Sequence, residues 1–269
     1  MLEGTNPYLE RVLRIAEMRR NSTPGNTTPE SNKQGSTLVA SGLDNVDCPI
    51  CGNTGTVLLR VDEEGHEWYG ECKCLKQRHS IKNIEDSGLR DLVLKCRFDN
   101  FITDNEKYKA IKQKALEFAK TDAEGFIIMG RPGSGKTHIC SAICGDLMKR
   151  NYRVRYFIWN KLVAKLKSLV NSGEEYAEEV NMLQNTPVLY IDDFLKGDYS
   201  PADVKQAFMV LNDRYNSKGK KTIISTERTM TDLLNFDEAV GSRLVEMSRG
   251  YIILAPDENW RIKPNVTNT

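Results

Sequence analysis

FIIMGRPGSGKTHIC, Phe126 to Cys140, reads as an apolar strand, a glycine-rich loop and the first turns of a helix. Gly130, Gly135, Lys136 and Thr137 occupy every fixed position of G-x-x-x-x-G-K-[ST], with Pro132, Gly133 and Ser134 inside the loop and His138 after it. Glycines let backbone N–H groups close around phosphate oxygens without Cβ interference, and the helix N-terminus adds partial positive charge. These eight residues therefore read as a nucleotide-binding loop. Lys136 is expected to reach the β and γ phosphates, and the Thr137 hydroxyl to hold Mg²⁺.

Outward from the loop, VLYIDDF, Val188 to Phe194, is a second apolar strand ending in two carboxylates. Asp192 is suited to the magnesium shell and Asp193 to orienting or deprotonating a water. A guanine reader would need N-K-x-D; the only Asn-Lys, Asn160-Lys161, lacks the acid, so ATP with Mg²⁺ is the expected ligand. Five strand-length runs stand out: FIIM (Phe126 to Met129), VRYFIW (Val154 to Trp159), VLYI (Val188 to Ile191), TIIST (Thr222 to Thr226) and YIILA (Tyr251 to Ala255). Helical patterns separate them, which predicts an α/β fold with a five-stranded parallel sheet between helices.

The 269 residues suit one or two domains. The sequence divides into an amphipathic helix within 1–20 (Tyr8 to Arg20), a Ser/Thr/Asn/Gly/Pro-rich linker over 21–43, a cysteine module over 44–80, a connecting segment over 81–96 with helix around Ile81 to Leu94, and the nucleotide-binding domain over 97–269. With 38 Lys plus Arg against 37 Asp plus Glu the net charge is +1, which excludes a wholesale polycation. No run is long and apolar enough for a membrane span, and the start lacks a signal-peptide core, so a cytoplasmic protein with no membrane partner is expected.

Cys48, Cys51, Cys72 and Cys74 form C-x₂-C and C-x-C pairs twenty residues apart, a set able to hold structural Zn²⁺. His66 or His79 could replace one of them as ligand. Gly52 to Gly55 suits the tight turn of a zinc knuckle, while Cys96, Cys140 and Cys144 read as buried fillers. Between Asp44 and Ser80 seven acids face four basic residues, more apt for docking a protein than nucleic acid. By contrast, Lys149 to Ser172 holds seven basic residues and no acid, interleaved with Tyr152, Tyr156, Phe157 and Trp159. Arg155, Lys161, Lys165 and Lys167 are the candidate contacts to single-stranded DNA, with Glu174, Glu175, Glu178 and Glu179 following closely enough to neutralise them.

Over Arg97 to Arg261 the sequence resembles the AAA+ ATPases, and within them the bacterial and phage replicative-helicase loaders of the DnaC/DnaI type. RFDNF (Arg97 to Phe101) is similar to the aromatic box before the ATPase core, which implies that Phe98 packs near adenine. TIIST ends in Ser225-Thr226-Glu227, where the family places a γ-phosphate sensor; many relatives carry Asn where Glu227 stands. Gly241-Ser242-Arg243-Leu244 resembles the box supplying an arginine finger to a neighbouring subunit, implying self-assembly through Arg243, and Arg261 resembles a second sensor. The resemblance also implies no helical lid after YIILAPDENWR; Asp193 stands where many AAA+ proteins carry Glu, a reach shorter by a methylene, so slow hydrolysis is expected until a partner closes the site. It implies an ATP-dependent loader whose zinc-bearing part is expected to dock on a hexameric replicative helicase. The alternatives are an IstB-like ATPase regulating a transposase on duplex DNA and a stand-alone P-loop kinase.

Overall fold

A computed structural model describes residues 48–262. The helix read over Tyr8 to Arg20 and the linker over 21–43 lie outside the described residues. The chain divides between Glu85 and Asp86 into two compact units. Among the described residues no helix is long and apolar enough to cross a membrane.

In the first unit β1 (Thr56–Val61) and β2 (Glu67–Glu71) pair antiparallel, and α1 (Lys73–Asp86) follows at once. Left-handed Gly52 (φ 53°) and Asn53 (φ 70°) form the turn after Cys51, and Cys72 N donates to Gly55 O at 2.8 Å, tying the end of the hairpin to that turn. The helix expected around Ile81 to Leu94 is in fact two. α1 begins eight residues earlier in a stretch too polar to show amphipathic spacing, and Gly88 at φ 75° breaks the run before α2 (Arg90–Lys95).

The second unit alternates helix and strand: α3 (Glu106–Lys120), β3 (Gly125–Met129), α4 (Lys136–Lys149), β4 (Val154–Ile158), α5 (Trp159–Leu169), α6 (Gly173–Asn185), β5 (Val188–Phe194), α7 (Pro201–Asn216), β6 (Lys221–Thr226), α8 (Met230–Phe236), α9 (Glu238–Met247) and β7 (Ile252–Leu254). The five strands form one sheet of order β4-β5-β6-β3-β7, parallel throughout. The three inner strands are almost wholly buried, as a sheet covered on both faces requires. Relative to the sequence reading, β3 and β6 begin one residue earlier and β7 is one residue shorter at each end, while β5 runs on to Phe194 and β4 stops at Ile158 because Trp159 opens α5, where its ring packs edge-on against Phe194 (4.7 Å) and Phe236 (6.3 Å).

Two buried cations fasten the N-terminal ends of the strands. Arg214, fully buried on α7, donates through Nη1 to the carbonyls of Leu183 (3.0 Å) and Thr186 (2.7 Å), through Nη2 to Lys221 O (2.7 Å) and through Nε to Thr222 Oγ1 (2.9 Å). Lys221 Nζ donates to Thr121 O and Ala123 O, each at 2.7 Å, and burial draws its pKa down to about 8. Carbonyl dipoles from the loops entering β3, β5 and β6 thus converge on two charges. Arg214→Met would leave those carbonyls unpaired in the interior. A loss of about 3 kcal/mol or more is expected, read as a lower urea midpoint at unchanged slope.

Candidate functional site

At the opposite, C-terminal ends of the strands the loop after β3 turns into α4, with Gly135 (φ 86°) as the residue before its first turn. Gly133 (φ 78°) has no room for a side chain: a Cβ there would meet Asn259 Oδ1 at 2.0 Å. Trp260 N donates to Gly133 O at 3.0 Å, so the segment after β7 lies directly on the loop. Lys136 Nζ donates to Gly130 O (2.7 Å) and Arg131 O (2.8 Å). Burial lowers its pKa, opposed by the charges of Glu227, Asp193 and Asp192.

Beside the loop lies a cavity of about 320 Å³. Pro132, Gly133, Gly135, Lys136, Thr137 and His138 line it from the loop and α4, and Asp193, Lys196, Glu227 and Arg261 from the remaining elements. Nine of these ten are candidates from the sequence; Lys196 is not. A larger cavity of about 540 Å³ lies at the N-terminal strand ends, where Lys218 pairs with Glu124 and Tyr215 with Glu246. No sequence motif falls there.

Asp192 is buried just behind the cavity and collects hydroxyls from four elements. Thr137 Oγ1 of α4 donates to both carboxylate oxygens (3.2 Å), Tyr156 of β4 to Oδ2 (3.2 Å), Tyr190 of β5 to Oδ1 (2.8 Å), and Ser225 of β6 also to Oδ1. Burial raises the pKa of both tyrosines, with the Asp192 charge adding to it. The β5–β6 register breaks between Ile191 and Phe194, and Asp193 sits in that break at φ 54°. The bulge separates the two carboxylates: Asp192 faces the hydroxyls and Asp193 lines the cavity.

The three sensor candidates part company. Ser225 supports Asp192, and Thr226 donates to Phe194 O (2.6 Å) within the core. Only Glu227 lines the cavity, with Oε1 3.4 Å from Lys196 Nζ. Phe98 is half-buried and does not line the cavity. Its loop instead reaches α4 through His138, whose Nε2 lies 3.0 Å from Arg97 O; a carbonyl only accepts, so Nε2 carries the proton. Phe101 packs edge-on against His138 (5.3 Å) and Tyr108 (5.9 Å), and Tyr108 against Trp260 (5.5 Å).

Arg243 is half-buried on α9, away from the cavity lining. Its Nη1 donates to Ala239 O (2.7 Å), and its guanidinium lies over the rings of Phe208 (5.5 Å) and Tyr215 (5.6 Å). In the basic stretch the aromatics are not free for bases: Tyr156 serves Asp192, Trp159 is core, and Tyr152 lies beneath Arg150. Arg155 donates to Asp86 O, Lys165 pairs with Glu179 (2.6 Å) and Lys167 with Asp203 (2.5 Å), whereas Lys161 is exposed. Cys140 and Cys144 are the buried fillers expected, their thiols pushed up by burial.

In the first unit the ligand atoms of Cys48, Cys51, Cys72 and Cys74 all lie within 4.8 Å of one another, with Cys48–Cys72 at 3.7 Å and Cys51–Cys74 at 3.5 Å. Tetrahedral Zn–S bonds of about 2.3 Å would set sulfurs about 3.8 Å apart, so this donor set fits zinc. Neither His66, exposed and bound to Asp62 Oδ2 (3.0 Å), nor the exposed His79 belongs to the cluster.

A Gly133→Ala chain must move Asn259 and hold alanine in a left-handed conformation costing about 1–2 kcal/mol. Nucleotide affinity at least tenfold below wild type is expected in a fluorescent-nucleotide titration.

Residues 80–242 match the family described as IstB-like ATP binding protein. The phage-like element PBSX protein XkdC of Bacillus subtilis (strain 168) is 31% identical, over 80% of this chain and 84% of the relative. The replicative helicase loader DnaC of Escherichia coli (strain K12) is 26% identical, over 62% of this chain and 69% of the relative. Among solved structures, the crystal structure of the DnaC helicase loader superposes with a TM-score of 0.56 at 24% identity, over 61% of this chain and 98% of that one, a likeness of fold. With the phosphate loop and the buried carboxylate arranged as described, the match over more than half the chain means that the protein belongs to the IstB-like ATP binding protein family and is a DnaC-like AAA+ ATPase.

Proposed function

We propose that this ATPase loads a hexameric replicative helicase, with ATP state setting its grip on partner and single-stranded DNA. The observation that carries the reading is the pairing, in one chain, of a complete nucleotide site with a four-cysteine unit whose hairpin exposes Leu58, Leu59, Val61, Trp68 and Tyr69. Exposed apolar groups of this size mark a surface that another protein covers. Asp62, Glu63, Glu64, Glu67 and Glu71 surround them, so the partner surface is apolar and basic. The similarity to the replicative helicase loader DnaC supports a helicase as that partner.

In this reading the loop backbone and Lys136 bind the phosphates, Thr137 and Asp192 hold Mg²⁺, and Asp193 accepts a proton from water. Mg²⁺ neutralises phosphate charge, and Zn²⁺ on the four cysteines staples the hairpin. Arg243 serves the nucleotide of a neighbouring subunit, which requires it to leave Phe208 and Tyr215. Lys161 is the readiest DNA contact; Arg155, Lys165 and Lys167 join it by exchanging their present partners for phosphates. The matched family itself favours a second reading, a transposase regulator on duplex DNA.

Copurification with a hexameric helicase in ATP and Mg²⁺ tests the partner; no binding would sink it, and filaments on duplex DNA would favour the second reading. Single strands should stimulate ATP turnover in wild type but not in Arg243→Ala, whereas turnover indifferent to both would rule out a DNA-sensing assembly. Lys136→Ala should abolish ATP binding or turnover. Metal analysis should find one zinc per chain, and its removal by chelation should end helicase binding while ATP binding persists.

A further inference from the structure

Lys196 reaches the nucleotide cavity by an unusual route. Two residues in three, Asp193 (φ 54°) and Leu195 (φ 59°), are left-handed, and neither is glycine. The surroundings hold this turn firmly. Lys196 N donates to Asp193 O (3.0 Å), Leu195 is buried, and Arg228 donates through Nε to Leu195 O (2.9 Å) and through Nη2 to Gly197 O (2.6 Å). Strain so fixed beside an active site points to a side chain that must be delivered to one place.

That place is the cavity wall, where Lys196 Nζ lies 2.9 Å from Asp193 Oδ2 and 3.4 Å from Glu227 Oε1. The cations lining the cavity are Lys136, Lys196 and Arg261, and the acids Asp193 and Glu227. Two carboxylates facing a polyanion would repel it unless a cation stood between. The three side chains are roughly 30 to 50% exposed, at 48% for Lys196, 29% for Asp193 and 28% for Glu227. Pairs this open to water contribute little to folding, so a structural brace does not account for the strained turn.

Resting on the ATPase reading, we infer that Lys196 is the residue that distinguishes triphosphate from diphosphate. Its ammonium, anchored by Glu227, pairs with the terminal phosphate of ATP and in doing so releases Asp193 from its ion pair. Asp193 is then free to take the proton of the attacking water, as that oxygen bonds to the γ-phosphorus and the bond to the β-phosphate oxygen breaks, leaving ADP with the electron pair. Glu227 is on this account an anchor rather than a sensor. Before ATP binds, the same ammonium keeps the carboxylate base paired, which ties base activation to occupancy of the γ position.

The test is the affinity of the full chain for Mg-ATP and Mg-ADP, read by displacement of a fluorescent ADP analogue, with turnover measured in parallel. Lys196→Met is expected to weaken ATP at least tenfold with ADP within threefold of wild type, and to lower turnover. Lys196→Arg should keep the preference for ATP, and Glu227→Gln in the Lys196→Met background should restore part of the ATP affinity by removing the uncompensated carboxylate. Equal loss of ATP and ADP, or no change in either, would overturn the inference. If Lys196→Met does not fold, Lys196→Gln read against Lys196→Arg decides by the same ratio. Failure of wild type to bind ATP would instead remove the ATPase reading beneath it.

Discussion

The carboxylate of Asp192 is buried where four elements meet, and each of them sends it a hydroxyl. A buried carboxylate without donors would cost several kcal/mol and would be protonated instead. Here Thr137, Tyr156, Tyr190 and Ser225 supply O–H groups from α4, β4, β5 and β6. The backbone N–H of Asp193 adds a fifth donor at 3.2 Å, and through these bonds one acid ties three neighbouring strands to the helix that carries the phosphate loop. The bulge at Asp193 follows. With the strand end committed to Asp192, the next residue reaches the cavity only if the backbone leaves the ladder.

The two ends of the sheet solve opposite electrostatic problems. At the N-terminal ends Arg214 and Lys221 are buried cations satisfied by backbone carbonyls, while at the C-terminal ends a buried anion is satisfied by side-chain hydroxyls. Carbonyls converging on two cations tie the loops entering the strands to one another. Hydroxyls can exchange a partner for a metal or a water, which suits the end where nucleotide enters. Asymmetry of this kind makes one end stiff and leaves adjustment to the other.

What the sequence disclosed depended on how local the information was. The phosphate loop and the VLYIDD strand are contiguous, and each carries its own strand and turn signals, so Lys136, Thr137 and Asp193 all reach one cavity as read. The cysteines were legible for the same reason, since thiol pairs at short spacing have few other uses. Tyr156, Tyr190 and Trp159 were not, because a strand aromatic reads alike whether it meets solvent, core or a buried acid; only the neighbouring strands decide. In the basic stretch the pairing of Lys165 with Glu179, fourteen positions on, was within reach of a local reading, whereas that of Lys167 with Asp203, thirty-six positions on, was not. Lys196 stayed hidden because left-handed Asp193 and Leu195 carry no glycine to announce the turn.

The role between subunits proposed for Arg243 requires it to leave the place that a single subunit gives it. Alone, its guanidinium rests on Phe208 and Tyr215, and Tyr215 is itself held by Glu246 at 2.8 Å. Cation–π contacts of this exposure are worth about 0.5–2 kcal/mol, enough to order a long side chain and too little to trap it. A charge-assisted bond to a phosphate oxygen in a desolvated interface exceeds that. In the proposed assembly the stack therefore gives way when a loaded neighbour offers its nucleotide and holds when the neighbour is empty. The lone subunit then spends little to keep its arginine ordered, and subunit association becomes sensitive to the nucleotide next door rather than to its own.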